Sequence, residues 1–213
     1  MAKGSSYERE ICNKLSSWWV PGRTDIFWRS AGSGARAKVR GRKGHNTVGQ
    51  HGDICATDPC GDHLTRALTI EIKRGYSSST IADVLDRSRG AAQQQIECFL
   101  QQTMESAAQA KSISWLLIVR RDRRDAIVFM PIKLMQKLEL TSRPSAIIKF
   151  TMEKRHLVEK KKVIKKIKGK DVKRNSKTFR SEQCKVTLGV MNFDKFLESV
   201  TPSDIRRLLK TGL

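Results

Sequence analysis

The sequence predicts an α/β fold, a sandwich with a mixed sheet flanked by helices, and three observations lead there. Apolar residues at helical spacing open the chain, short runs rich in Ile, Val, Leu and Trp alternate with helical stretches after them, and Gly and Pro clusters punctuate the two. At 213 residues the chain is long enough for one ordinary domain with a full core plus appendages, and too short for two large domains.

Ser5-Ser6-Tyr7-Glu8 opens the first helix, in which Tyr7, Ile11, Leu15 and Trp18 or Trp19 recur until Pro21-Gly22 stops it. Asp25-Ile26-Phe27-Trp28-Arg29 reads as a strand, and the glycines and cations after it predict a mobile loop as far as Gly52. Residues 53–57 form a short strand, Asp58-Pro59-Cys60-Gly61-Asp62 has the Pro and Gly of a tight turn, and residues 67–73 form the next strand, which predicts a hairpin. Ile81, Val84 and Leu85 predict a short helix, and Ile96, Phe99, Leu100 and Met104 a longer one over about residues 91–110. Strands over residues 114–119 and 126–132 flank a polar turn, and a short helix follows over about 133–138. The order is α-β-β-β-α-β-β, a core over residues 1–142. Residues 143–213 read as a basic C-terminal extension, with strands at 146–152 and 186–190 bracketing a lysine-rich segment and a helical stretch over 193–209 interrupted at Pro202.

Lys and Arg total 42 against 21 Asp and Glu, a formal net charge of +21. Such an excess repels itself unless a polyanion is the normal partner, so nucleic acid leads over an anionic membrane surface. The charge is concentrated: Arg29 to Lys43 holds six basic residues and no acid, and Glu153 to Arg180 holds thirteen basic and three acidic. No stretch approaches the roughly 20 apolar residues of a membrane helix, and the first six residues lack the apolar core of a secretory signal, so a cytoplasmic protein is expected. The five cysteines are odd in number and scattered, which predicts reduced thiols. Cys55, Cys60 and His63 make a poor zinc site, because four residues separate the cysteines and no fourth ligand is evident.

Two short stretches point to chemistry. Gly52-Asp53-Ile54 and Ile70-Glu71-Ile72-Lys73 set an acid, then an acid and a lysine, at the ends of successive apolar strands. Carboxylates among apolar strand residues cost free energy unless they meet a cation or a donor. Phosphodiester hydrolysis needs a divalent ion held by few protein oxygens, so that it keeps waters and neutralises phosphate charge, and Asp53 and Glu71 suit that need. Side chains alternate along a strand, so Lys73 reaches the same pocket as Glu71, where it can orient the attacking water, while Ile72 turns into the core and leaves its backbone carbonyl as a further ligand. Taken alone, Glu71 and Lys73 are equally an exposed pair on an amphipathic strand, and Asp53 a residue that starts a strand after a glycine.

The stretch from Ser30 to Lys43 combines glycines, small residues and cations, which lets amides and guanidinium groups approach phosphates. Arg29, Ser30, Ser33, Arg36, Lys38, Arg40, Arg42 and Lys43 are its candidate DNA contacts, against the plain alternative of a solvated loop. The segment from Lys160 to Arg180 has almost no aromatic residues for base stacking, so it is a sequence-blind electrostatic arm or an ordinary charged extension.

In order and spacing these motifs resemble the PD-(D/E)XK nuclease superfamily, and within it the archaeal-type Holliday junction resolvases, whether cellular or phage-encoded. Gly4-Ser5-Ser6-Tyr7-Glu8-Arg9-Glu10-Ile11 resembles that family's opening Gly-x-x-x-Glu-Arg helix, and Ala31-Gly32-Ser33-Gly34 its flexible loop. Gly52-Asp53-Ile54 and Ile70-Glu71-Ile72-Lys73 resemble its second and third motifs, the whole covering about residues 3–135. The resemblance implies a restriction-endonuclease-like core and a Mg²⁺-dependent endonuclease of DNA, with Mn²⁺ able to substitute. It implies metal ligation by Glu8, Asp53 and Glu71, water activation by Lys73, phosphate contacts from Arg9 and a loop serine, and a supporting glutamine, Gln93, ahead of the long helix. It also implies four-way junctions as substrate, 5′ phosphate products and a homodimer whose two-fold-related sites address two symmetric strands.

Two features depart from the family pattern. Gly52 stands where the superfamily's name places a proline, and the loop from Gly34 to Gln50 is longer and more basic. Ser5-x-x-Glu8 also matches a capping box, which would give Glu8 a structural role. The alternatives are another nuclease of the same fold, cutting duplex, nicked or flapped DNA, and a DNA-binding protein without catalysis.

Overall fold

A computed structural model of the chain describes residues 3–30, 51–76, 80–86, 92–143, 145–167 and 170–213. It has the expected α/β architecture, a five-stranded mixed sheet with helices on both faces. Helix α1 (Lys3–Trp19) buries Tyr7, Ile11, Leu15 and Trp19, one stripe recurring every fourth residue. Ser16 ties its last turn to the next strand: Oγ donates to the Cys12 carbonyl at 2.8 Å and accepts the Phe27 amide at 3.0 Å. That strand, β1 (Phe27–Arg29), pairs antiparallel with β2 (Ile54–Ala56), Phe27 opposite Ala56 and Arg29 opposite Ile54.

The hairpin predicted between residues 53–57 and 67–73 does not form. After β2, Asp58 caps a 3₁₀ turn (Pro59–Gly61), its carboxylate accepting the Cys60 amide at 2.9 Å, and helix α2 (Asp62–Ala67) follows. Asp followed by Pro signals a turn, but equally the cap and first position of a helix, and burial of Leu64 and Ala67 decides for the helix. Gly61 permits the close approach: a Cβ there would stand 2.8 Å from the Phe27 ring and 2.9 Å from Ile26.

Strand β3 (Leu68–Arg74) is instead the edge of the main sheet, whose order is β3-β4-β5-β7-β6. Here β4 is Ser114–Arg120, β5 Ile127–Pro131, β6 Ser145–Ile167 and β7 Lys170–Asn192. β3 and β4 run parallel, and the other neighbours antiparallel. Alternation along the strands divides the core in two. Leu68, Ile70, Ile72, Leu116, Ile118, Val128 and Met130 cluster with α1, α2, α5 (Ile132–Lys137), α6 (Phe193–Ser199) and α7 (Pro202–Thr211). Trp115, Leu117, Val119 and Phe129 cluster with α3 (Ala82–Leu85) and α4 (Gln95–Ala110). Glu71 and Lys73 alternate with Ile70 and Ile72, which puts them on the α4 side.

Residues beyond 142 share this core. β7 enters the sheet between β5 and β6, and Phe193, Phe196, Ile205 and Leu208 pack in the same cluster as Ile11 and Ile70. The short strands expected at 146–152 and 186–190 are the root of a much longer ribbon. β6 and β7 run 23 residues each, paired from Ser145 opposite Met191 to Ile167 opposite Lys170, with one irregularity at Leu157/Glu159. Lysine is depleted in strands and supplies no period-two apolar signal, so the charge of the segment masks its extended backbone. The expected C-terminal helical stretch is α6 and α7, and Thr201 with Asp204 forms a capping box that restarts the helix at Pro202. Among the described residues no helix is long and apolar enough to cross a membrane.

Candidate active site

Asp53 reaches Glu71 through a turn laid along the free edge of β3. Gly52, ahead of it, has φ +77°, and a Cβ there would stand 2.6 Å from the Ile70 carbonyl oxygen. Only glycine satisfies both conditions, and proline, with φ fixed near −65°, satisfies neither. This is the physical reason for glycine where the superfamily's name has proline. The turn sets the Asp53 amide on the Ile70 carbonyl at 2.8 Å and the Asp53 Oδ2 against the Ile72 amide at 2.7 Å. Ser30 braces it from β1: its amide donates to the Asp53 carbonyl at 2.9 Å and its Oγ to the Gly52 carbonyl at 2.6 Å.

Glu71 is fully buried, and its two oxygens accept from three donors. Oε1 takes the Ser106 hydroxyl at 3.0 Å, and Oε2 takes Gln102 Nε2 at 2.9 Å and Lys73 Nζ at 3.2 Å. Lys73 Nζ also lies 3.9 Å from Asp53 Oδ2 and 5.7 Å from the centre of the Phe99 ring. One ammonium is thus held between two carboxylates and an aromatic face, a desolvated setting in which each interaction strengthens. Burial pushes the Asp53 carboxyl up to about 7, the Glu71 charge adding to the effect while Lys73 and the Ile72 amide oppose it.

Two buried acids facing one lysine leave negative charge that a further cation would neutralise. The N–H and C=O of one residue in an extended strand point to the same side. The Ile72 carbonyl therefore faces the Asp53 side of β3, as the Ile72 amide does. Asp53, Glu71 and this carbonyl are hard oxygen donors and fit a divalent ion such as Mg²⁺. Among the described residues no group of three or more His, Cys, Asp or Glu side chains is placed to hold a metal ion, so the side chains offered here are the two carboxylates of Asp53 and Glu71. The fit is to an open site, which leaves coordination positions for water and phosphate.

Glu8 stands beside this pair. Its Oε2 accepts Arg29 Nε at 2.9 Å, and its charge contributes to the shift at Asp53. Helix α1 begins at Lys3, so Ser5 lies inside it and not at its N-cap. Arg29, expected to touch DNA, is the partner of Glu8 in this arrangement, and Arg9 is exposed on α1. Ser30 is 2 % exposed with its hydroxyl committed to Gly52, so it shapes the turn and offers no donor to a phosphate. Ser33, Arg36, Lys38, Arg40, Arg42 and Lys43 lie outside the described residues.

Gln93 is displaced from its expected role. Its Nε2 donates to Gln101 Oε1 at 2.8 Å and to the Glu153 carbonyl at 2.7 Å, because α4 starts only at Gln95 and the turns facing Glu71 come later. Gln102 and Ser106 take the supporting place. Their signal in the sequence is helical: Phe99, Gln102 and Ser106 fall at i, i+3 and i+7, on one face of α4. Tyr7 carries two further cations, the guanidinium groups of Arg74 and Arg120, at 5.6 and 5.4 Å from its ring centre.

Comparison with known proteins finds a family for the chain. Residues 1–166 match the family described as phage putative PDDEXK endonuclease, a stretch that includes α1, the Gly52-Asp53 turn, Glu71-Ile72-Lys73, α4 and most of β6. No curated protein and no solved structure matches the chain. The match spans every residue of the site and more than three quarters of the sequence, and the chain accordingly belongs to the phage PDDEXK endonuclease family.

Proposed function

We propose that the protein is a Mg²⁺-dependent DNA endonuclease, selective for branched DNA and resolving four-way junctions as a homodimer. One observation carries the hydrolytic part: two buried carboxylates from different segments, Asp53 and Glu71, lie within 4 Å of the same lysine nitrogen. The net charge of +21 supports a polyanionic substrate. Junction choice and the dimer draw their support from the motif resemblance.

The Asp53 and Glu71 carboxylates and the Ile72 carbonyl would hold a divalent ion, which would supply Lewis acidity toward water and phosphate. Ser106 and Gln102 hold the Glu71 carboxylate in one orientation, so its oxygens need no reorganisation when the phosphate arrives. Lys73 presents N–H donors in the same pocket, where they orient the attacking water and meet charge that develops on the phosphate. In-line attack with departure of the 3′ oxygen leaves a 5′ phosphate. Arg29 neutralises Glu8, which keeps a third nearby carboxylate from adding its full repulsion.

The test incubates purified protein with a four-way junction, a flap and a linear duplex, in Mg²⁺, in Mn²⁺ and in EDTA. Symmetric paired nicks in the junction alone, lost in EDTA, are expected. Equal cutting of all three substrates overturns the junction choice, and absence of cutting in both metals overturns the nuclease reading. Light scattering of the junction complex checks for two copies per junction, and a single copy overturns the dimer.

A further inference from the structure

We infer that the β6–β7 ribbon is a second nucleic-acid surface, an arm that grips duplex DNA beside the cleavage site. This rests on the nuclease reading only for the choice of DNA as the polyanion. Only Leu188–Asn192 of β7 pair with β5, so from Thr187 outward no third strand among the described residues pairs with the two. Leu157, Val158 and Phe179 are 45 %, 64 % and 48 % exposed, so at that level the ribbon stands clear of the core. Twelve residues of β6 continue beyond Arg155 to Ile167, about 40 Å at ~3.3 Å per residue, which is slightly more than one turn of duplex at about 34–36 Å. A two-stranded ribbon is also the width a major groove admits.

Charge selects the partner. Residues 153–180 carry thirteen basic and three acidic side chains, a density that opposes pairing with a second copy of itself and favours a phosphate backbone. The arm is firmly mounted. At its root the Glu153 amide donates to Glu97 Oε1 at 2.7 Å and the Arg155 amide to Gln101 Oε1 at 2.9 Å. In return Gln93 Nε2 donates to the Glu153 carbonyl at 2.7 Å and Gln101 Nε2 to the Arg155 carbonyl at 2.9 Å. Side-chain amides and one carboxylate thus stand in for a neighbouring strand along the open edge of β6. Glu97 and Gln101 belong to α4, the helix whose Gln102 and Ser106 hold Glu71. Duplex held by the ribbon and the carboxylate at the cleavage site are referred to one rigid element.

The decisive experiment measures binding of a fluorescent duplex of about 30 base pairs in EDTA across a salt series, for wild type and two variants. One variant replaces residues 160–177 by Asn-Gly, which closes the Glu159 and Thr178 register pair with a two-residue turn. The other combines Lys160→Gln, Lys161→Gln and Lys162→Gln and keeps the length. The shortened variant is expected to bind at least about 10-fold more weakly at moderate salt, and its slope of log K against log salt to be about 3–5 smaller in magnitude. The lysine variant should lose about 2–3 of that slope. Circular dichroism and thermal midpoint check that the core of each variant is intact. Unchanged affinity and slope in both variants overturn the arm. So does a lysine variant that binds DNA normally but self-associates, since the charge would then serve only to keep strand edges apart. Because binding is read without divalent metal, a wild type that fails to cut in Mg²⁺ sinks the nuclease reading and leaves this result standing on its own.

Discussion

The metal-free protein should lose stability as pH rises from about 4 to about 8, and Asp53→Asn should remove most of that loss. Asp53 is 2 % exposed, and its carboxyl is raised to about 7 by burial and by Glu71, against about 3.9 in an unfolded chain. A carboxyl raised on folding binds its proton more tightly in the native state. The stability it contributes is full below the unfolded value, declines above it, and is gone once the pH has passed through the folded value. A shift of roughly three units corresponds to about 4 kcal/mol at most. Relaxation of the site around the buried charge reduces this, so the gap between variant and wild type should open by about 2–4 kcal/mol across the range. Asparagine keeps an oxygen for the Ile72 amide while removing the charge. Thermal denaturation in EDTA reads the effect, about 2–4 °C per kcal/mol for a chain of this size. Millimolar Mg²⁺ should then narrow the gap, because it binds the wild-type native state and not the variant. A gap that stays constant with pH, or a variant less stable than wild type at pH of about 8, would refute the reasoning.

Four other substitutions test the same site. Glu71→Gln should lower Mg²⁺-dependent cleavage by at least about 10²-fold while DNA binding in EDTA persists, and comparable loss of both would point to misfolding. Ser106→Ala and Gln102→Ala each leave Glu71 short of a buried donor; each should cost about 1–3 kcal/mol in urea denaturation and lower kcat more than KM. Gly52→Ala must strain a backbone at φ +77° and meet the Ile70 carbonyl at 2.6 Å, so it should both destabilise and abolish cutting. Gly22→Ala, at φ +82° with nothing within 4 Å, is its control and should cost only the about 1–2 kcal/mol of the left-handed conformation, with cutting retained.

The candidate site was legible because much of it is local. Glu71 and Lys73 lie two residues apart on an apolar strand, and a period of two puts them on one face whatever the rest of the fold does. The α1 stripe of Tyr7, Ile11, Leu15 and Trp19 is local in the same sense. Where two local signals compete, the sequence was less decisive. Asp58-Pro59 served equally as a hairpin turn and as a helix start, and only burial of Leu64 and Ala67 selected α2. Gln93 drew attention as part of a glutamine run, yet the start of α4 at Gln95 rotates that residue toward β6 and brings Gln102 to the carboxylate.

The sequence by itself determined which groups carry the charge and which are candidates for the chemistry: the acids at 53 and 71, the lysine at 73, and the basic segment after residue 153. These follow from residue type and from periods of two and 3.6, which need no distant partner. Only the tertiary structure decided how Asp53 meets Glu71, through a Gly52 turn braced by Ser30, and that the lysine-rich segment is one paired ribbon anchored on α4. Both depend on contacts between residues some twenty to sixty positions apart. Such contacts form when buried donors and acceptors find partners in the folded chain, and no spacing along the sequence encodes them.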